Sequence, residues 1–582
     1  MVTERLYLQP SRLAKRLWFL TFLAVIAFYF YGLGHIPLVG PDEPRYTQVA
    51  REMFLRRDLI TPTLGGHTWF EKPPLLYWMT IAAFRLFGIS EWAARLGPAI
   101  SGLLTVAAVF WMGVCHSTAG GVPISRGVPP WAPLTKVAPQ HGAPTEGRPY
   151  KLEQAGQLGV WSAFIVVSTL GMIVFSRGAG FDGIVTMTIT WSLAFFLIAE
   201  TTANDRKQPF WAGFYIFIGL SLLAKGLVGL VIPFGVVGVY YLIRRERPTR
   251  TFLLSLTWGL PLVLAVAAVW YLPVIKRHGW LFIDEFFIQH HFARYLSNKY
   301  HHPQPFFFYF LIIIPLTLPW TAFLIDALAK ARNWKWRGPD ALDKMRVFTV
   351  AWVLFPLAFF SFSGSKLPGY ILPVLPAIAL IAGERLASLA SHRTTVVWTI
   401  RITGALFGVF AIAGIISVRK FGNVPLSCAL MTAIPLIVAA SICLFWFRFR
   451  TASGLAIGLA TLAAIVIALN CGAAAIANRE STRDLLQLAA ARGYGSSPVY
   501  ALHQIDRSAE FYAAGRVVYG SDGDPVRFES ALDVVEAIRK NNSPILVFVP
   551  REYVYQLSGL KGVRAELIGS NGTLALVGIS SP

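Results

Sequence analysis

Residues 69–78 read WFEKPPLLYW. A charged pair, Glu71-Lys72, and two prolines stand immediately ahead of an apolar run. Lys72 precedes Pro73 and is biased towards extended backbone, while Pro74 suits the first turn of the helix that follows. The backbone of the pair is therefore fixed where the apolar run begins. What that threshold faces depends on the rest of the chain.

The rest of the chain is a membrane sequence. Of 582 residues, 55% are hydrophobic and only 14% charged, and the mean hydropathy is +0.55, far from a soluble average. About thirteen apolar windows are each long enough to cross roughly 30 Å of hydrocarbon as helix. They fall at 17–34, 94–115, 158–177, 183–200, 209–224, 226–243, 252–273, 306–325, 347–362, 371–388, 400–418, 427–447 and 452–470. The first is too long for a secretory signal and lacks a cleavage site, so it reads as an anchor.

Basic residues of short loops stay on the cytoplasmic side. Arg12/Lys15/Arg16, Arg244/Arg245/Arg247/Arg250, Lys330/Arg332/Lys335/Arg337 and Arg448/Arg450 share one side if the N-terminus is cytoplasmic. An odd number of spans then places the C-terminus outside. The net charge of +22 is accounted for by topology and attraction to lipid surfaces, with no need for nucleic acid. Cys115, Cys428, Cys443 and Cys471 lie in or at the ends of apolar windows without CxxC spacing, suggesting neither a disulfide framework nor a zinc site.

Two domains are expected, a transmembrane unit over 1–474 and a soluble α/β unit over 475–582. Within the first, 36–93 forms an outer loop. There DEPRYTQVAREMFLRRD sets Tyr46, Val49, Ala50 and Met53 on one face, as for a helix lying on the membrane surface. The Pro/Gly-rich stretch 117–156 reads as a flexible cytoplasmic insertion. In the C-terminal unit TRDLLQLAAARG and SALDVVEAIRKN alternate with PVYAL, RVVYG and PILVFVP. AELIGSNGTLALVGI closes it as a hairpin turning at Asn571-Gly572. It contains neither a P-loop nor GxGxxG.

Outer loops are poor places for cations, yet Arg45, Arg51, Arg56, Arg57, Lys72, Lys276, Arg277, Arg294, Lys299 and Lys366 fall there. A lipid-linked phosphate is the natural counter-charge at that depth. Asp42 and Glu43, between Pro41 and Pro44, serve either as helix caps or as catalytic carboxylates. Lys72 offers a compact charge to a phosphate, or snorkels beside Glu71. Glu71 is placed to hold a basic partner or a metal, with His291 as the other metal candidate. His291 and Arg294, three residues apart, can share a helical face. Lys366 and Tyr370 stand at the mouth of a span, where interfacial anchors also occur. Asp182 and Lys225 interrupt apolar sequence, which is expensive unless they face a polar cavity.

Taken in order and spacing over roughly 35–385, these motifs resemble the glycosyltransferase C superfamily. They are similar to its bacterial branch related to protein O-mannosyltransferases, which includes lipid A aminoarabinose transferases. The carrying pieces are DEPRYTQVAREM…RDLITPTLGGHTWFEKPPLLYW, FGISEWAARLGPAISG, FDGIVTMTITW, AKGLVGLVIP, HHFARY and SKLPGYILPVLPAIAL. The resemblance implies an all-α polytopic membrane protein of thirteen transmembrane helices with a periplasmic C-terminal domain, in the bacterial inner membrane. It implies an inverting transfer from a polyprenyl phosphate sugar, most plausibly aminoarabinose from undecaprenyl phosphate to lipid A.

In that family's pattern Asp42 matches the acidic residue of the first outer loop, with Glu43 beside it. Lys72 and Arg294 match positions near the donor phosphate. Glu71, Asp182, Lys225, Lys366 and Tyr370 match other motif positions. The insertion at 117–156 and FDG in place of LDP depart from the pattern. The sequence requires no cofactor, and a divalent metal stays open. Expected partners are the undecaprenyl phosphate sugar, lipid A or another periplasmic acceptor, and membrane lipid, without nucleic acid. Transfer of another sugar such as mannose, glucose or galacturonate to a glycan or protein remains the alternative within the class. A lipid or ion transporter is the alternative outside it, and a structural or sensory protein a third.

Overall fold

A computed structural model describes residues 23–117, 148–202, 207–293, 295, 304–387, 395–421, 424–446, 450–541 and 543–581. Among these, eight helices are long and apolar enough to cross a membrane, or ten if each of two bent pairs is one span. The protein is thus polytopic and mostly helical. Two further windows coincide with the helices Gln208–Lys225 and Val228–Arg244, and the first is described only from residue 23.

Two expected straight spans are bent. The window 158–177 breaks between Ser168 and Leu170 with a 59° bend, and 306–325 breaks between Leu316 and Thr321 with a bend of 118°. Pro315 and Pro319 flank the second break, where each removes a backbone donor and obstructs the preceding turn. Leu170 N–H donates across to the carbonyl of Leu318 at 2.8 Å, so the two breaks satisfy one another. Hydropathy reports apolar length and is blind to direction.

Residues 118–147 of the expected insertion lie outside the described residues, as do Arg12, Lys15, Arg16 and Arg448. Its last part belongs to the helix Arg148–Ser168. The absence of a disulfide is corrected: Cys428 and Cys471 are bonded, with Cα atoms 5.7 Å apart and a sequence separation of 43. Cys428 lies near the start of Leu426–Phe445 and Cys471 beyond the end of Arg450–Ala468. Antiparallel packing of those helices brings distant positions to one level, which spacing rules for short motifs do not detect.

The helix Asp42–Arg56 forms as expected, with Tyr46, Val49, Ala50 and Met53 all buried. Their cover is protein rather than lipid, for Tyr46 packs edge-on against Phe181 at 4.9 Å.

Beyond residue 480 the chain forms a five-stranded mixed sheet. Its order is Arg527–Phe528, Val499–Leu502, Ile545–Pro550, Leu574–Ser580 and Arg564–Ser570. The first three are parallel, and the closing hairpin is antiparallel. RVVYG is not a strand, making only bridges through Val517 and Tyr519. The short helix Ser508–Tyr512 from this unit seats against Asp42–Arg56, where Arg51 donates to the carbonyl of Phe511 and the amide of Leu38 to the Tyr512 hydroxyl.

Candidate active site

Asp42 opens the helix Asp42–Arg56 in its first turn, with Pro41 in the cap position. Its neighbour Glu43 takes the anchoring role. The Glu43 carboxylate accepts from Arg95 at 3.1 and 2.8 Å, from the amide of Val39 at 3.1 Å and from that of Ala179 at 2.6 Å. Arg95 is 2% exposed and spends its remaining donors on the carbonyls of Leu33, Ile36 and Pro37. Glu43 is therefore a strut that ties the loop ahead of Asp42–Arg56 to the helix Glu91–Ser117 and to the segment before Phe181–Thr201. Asp42 makes no hydrogen bond among the described residues.

Side by side, the two carboxyls have opposite fates. Burial pushes Glu43 up, but the charge and hydrogen bonds of Arg95 and the backbone amides outweigh it and hold the group below its ordinary range. Asp42 is accessible to solvent yet hemmed in by protein. Burial and the charge of Glu71 push its carboxyl above the usual range, with Asp182 adding to this and Lys72 and Arg45 opposing it.

The opening loop reaches Asp42 because Phe70 pins it. Phe70 is 1% exposed and packs on His278 and Phe282 at 5.0 and 5.2 Å. Pro74 then caps Leu75–Phe87. Between these supports Lys72 pairs with Glu71 at 2.7 Å.

Asp182 lies in the first turn of Phe181–Thr201, where a carboxylate suits the helix N-terminus. It is bonded to Lys225 from the last turn of Gln208–Lys225, which ends at Gly226 with φ +76°. The Lys225 ammonium sits 4.6 Å from the Tyr370 ring centroid. A side chain at position 369 would put Cβ 2.0 Å from the Asp182 carboxylate, so the glycine there admits it. Hence Asp42, Glu71, Lys72, Asp182, Lys225 and Tyr370 share one neighbourhood.

Other candidates stand apart. Lys366 is 7% exposed and turned into the backbone, donating to the carbonyls of Ser363 at 2.7 Å and Gln304 at 3.0 Å. Arg294 and Lys299 lie outside the described residues, as does the side chain of His291. No group of three or more His, Cys, Asp or Glu converges as for a metal among the described residues. Much of the positive charge expected in outer loops also has counter-charges within the protein. Arg277 pairs with Asp58 at 2.7 Å, and Arg45 faces Glu510 at 3.8 Å. Burying a cation requires a partner, and the fold supplies several from segments remote in sequence.

Arg95 was legible as a charge inside an apolar window, a signal that did not single it out. Arg45 was visible only as one outer cation among ten, and Glu510 carried no signal at all. Together Asp42, Lys72 and the Asp182–Lys225 pair can receive an anionic group and an adjacent polar ring, and can hold or release a proton at the Asp42 carboxylate.

Residues 13–116 match the family model described as dolichyl-phosphate-mannose-protein mannosyltransferase. The undecaprenyl phosphate-alpha-4-amino-4-deoxy-L-arabinose arabinosyl transferase of Erwinia tasmaniensis is 25% identical over 466 residues, 76% of this chain and 76% of its own. The protein of that name from Pseudomonas aeruginosa is 28% identical over 380 residues, 64% of this chain and 60% of its own. ArnT from Cupriavidus metallidurans, solved bound to undecaprenyl phosphate, superposes with a TM-score of 0.74 at 22% identity. That match covers 96% of this chain and 98% of the other. The resemblance drawn from the motifs is borne out, and the fold is shared almost end to end.

Proposed function

We propose that the protein is an inverting glycosyltransferase that moves a sugar from a polyprenyl phosphate donor to an acceptor at the outer face of the bacterial inner membrane. The transfer we favour is aminoarabinose from undecaprenyl phosphate to a lipid A phosphate. The observation that carries it is the cluster of Asp42, Lys72 and Asp182–Lys225, gathered from four segments in a fold shared with a protein that binds undecaprenyl phosphate.

In this transfer the bond between the sugar C1 and the donor phosphate oxygen breaks, and the departing polyprenyl phosphate keeps the electron pair. The acceptor oxygen attacks C1 from the opposite face, inverting it. Negative charge grows on the departing phosphate, so a fixed Lys72, joined by Arg294, stabilises the transition state more than the ground state. Glu71 restrains Lys72. Asp182, Lys225 and Tyr370 line the sugar side, Lys366 holds the loop behind Tyr370, and Glu43 positions Asp42. A lipid A phosphate is already ionised and needs no base; there Asp42 pairs with the ammonium of the aminosugar.

One observation favours a second reading. The raised carboxyl of Asp42 suits a general base, which a hydroxyl acceptor needs, as in transfer of mannose, glucose or galacturonate to a glycan or protein. Purified protein given labelled undecaprenyl phosphate aminoarabinose and lipid A is expected to yield modified lipid A. Turnover of another donor with no lipid A product selects the second reading.

We also propose a membrane unit over 1–474 with a cytoplasmic N-terminus, and a periplasmic unit over 475–582. The Cys428–Cys471 bond supports this, since disulfides persist in oxidising compartments and Cys471 immediately precedes the sheet unit. An impermeant amine label applied to intact spheroplasts is expected to reach Lys540 and Lys561.

A further inference from the structure

Arg45 lies three residues after Asp42 on the same helix, so the two side chains can share a face. Its guanidinium is over the Trp69 ring, 5.3 Å from the centroid, beside the loop that carries Lys72. On its other side is Glu510 of the helix Ser508–Tyr512, a carboxylate 1% exposed from the C-terminal sheet unit. One Glu510 oxygen accepts from Arg507 at 2.8 Å. The other faces Arg45 Nε at 3.8 Å, too far for a hydrogen bond.

Both facing atoms, Arg45 Nε and Glu510 Oε2, are buried, and neither has a hydrogen-bond partner among the described residues. Buried polar atoms are almost always bonded, and leaving them unmade is costly, so a pair that stops short calls for a cause. Two other groups act on Arg45: the Trp69 ring beneath its guanidinium, and the charge of Asp42 three residues back on the same helix. Arg45 is divided between a carboxylate at the reaction centre and one in a unit more than 450 residues away in sequence.

We infer that Glu510 is a positioning residue for the transfer reaction: it draws Arg45 back from Asp42 and so makes the C-terminal sheet unit part of the reaction centre. The inference rests on the proposed transferase function. Groups facing Asp42 are Glu71, Lys72, Arg45 and Asp182; those facing Glu510 are Arg507, Arg45 and Asp524. Neutralising Glu510 leaves Arg45 with Asp42 as its attractor. The carboxylate is then stabilised in its charged form, and its proton comes off at lower pH.

The test compares full-length Glu510→Gln and Glu510→Asp in detergent. Glu510→Gln is expected to lower kcat about 10-fold or more and move the acidic limb of the kcat profile to lower pH. Glu510→Asp, which keeps the charge, should restore most of the rate and the wild-type limb. Wild-type kcat and limb in Glu510→Gln overturn the inference, as does equal loss in both variants with an unmoved limb. Amide exchange over residues 42–50, read in the same preparations, should rise in Glu510→Gln alone. If the wild-type protein turns over no polyprenyl phosphate sugar, the proposed function fails, and unchanged exchange in Glu510→Gln then overturns the positioning role independently.

Discussion

The helices Ala341–Ser361 and Pro368–Ala387 meet charged groups at both ends of the pair, and the two ends are built differently. At one end Arg346 forks onto Glu384 and reaches Asp343 at 3.1 Å, while Arg385 meets Asp326 at 2.7 Å, with Lys330 at 3.6 Å from the same carboxylate. The Arg346 fork is a planar guanidinium on the Glu384 carboxylate. At the other end Tyr370 faces Lys225, which pairs with Asp182, and beyond them Lys72 pairs with Glu71. Ammonium groups hold that end, and Asp42 makes no hydrogen bond among the described residues. The difference is between guanidinium pairs and ammonium pairs, and on the function proposed above the ammonium pairs are the exchangeable ones: a lysine swings on a flexible stem from carboxylate to phosphate with little to break.

The largest effect that could break this contrast is on turnover. Lys72→Ala and Asp42→Asn should each lower kcat by about 10²–10⁴-fold, with the protein still inserted and monodisperse. Wild-type rates in either variant would sink its assigned role.

Next is the strut. Glu43→Gln leaves Arg95 buried against a neutral group and should cost about 3–5 kcal/mol in a denaturation midpoint experiment. Asp42→Asn should leave the midpoint unchanged or raised. The signs follow from the two carboxyls. A carboxyl held low contributes stability above its ordinary range and loses it as pH falls through its folded value. One pushed up costs stability as pH rises through its folded value. Equal midpoints for the two variants at neutral pH contradict the distinction between strut and reactive group.

The Cys428–Cys471 bond closes a long loop. Its reduction, or Cys428→Ser, should lower stability by about 2–4 kcal/mol without changing the rate per folded molecule. The acidic limb of kcat should lie above the ordinary Asp range of about 3.9, because Asp42 must ionise against burial and Glu71. A limb within that range would refute the assignment of Asp42. Smallest of all, Arg346→Ala should cost about 1 kcal/mol, with kcat unaltered. A turnover loss there would mean that the two ends are not separate in function.

Much of the fold was legible because hydrophobic length is local. A window such as 183–200 announces its helix whatever it packs against. The bends at 168–170 and 316–321 were not, since the prolines mark them but the direction of the chain after each depends on its neighbour. Asp42, Lys72, Asp182 and Lys225 could be singled out because charges at or within apolar sequence demand explanation. Glu510 could not: an acidic residue in a polar segment is unremarkable until its burial is known. The split of Asp42 from Glu43 was equally hidden, as adjacent acidic residues in one helical turn look alike until Arg95 takes one of them.

Sequence by itself determined that the chain enters the bilayer repeatedly, and where along it charge is too costly to be idle, because transfer from water to hydrocarbon is paid residue by residue. Only the tertiary structure decided which charges meet: Glu43 with Arg95, Lys225 with Asp182, Arg45 with Glu510. Electrostatic attraction acts over a few ångströms of space, and these partners are brought within that range by helix packing and by the seat of the C-terminal sheet unit, neither of which is written in local order along the chain.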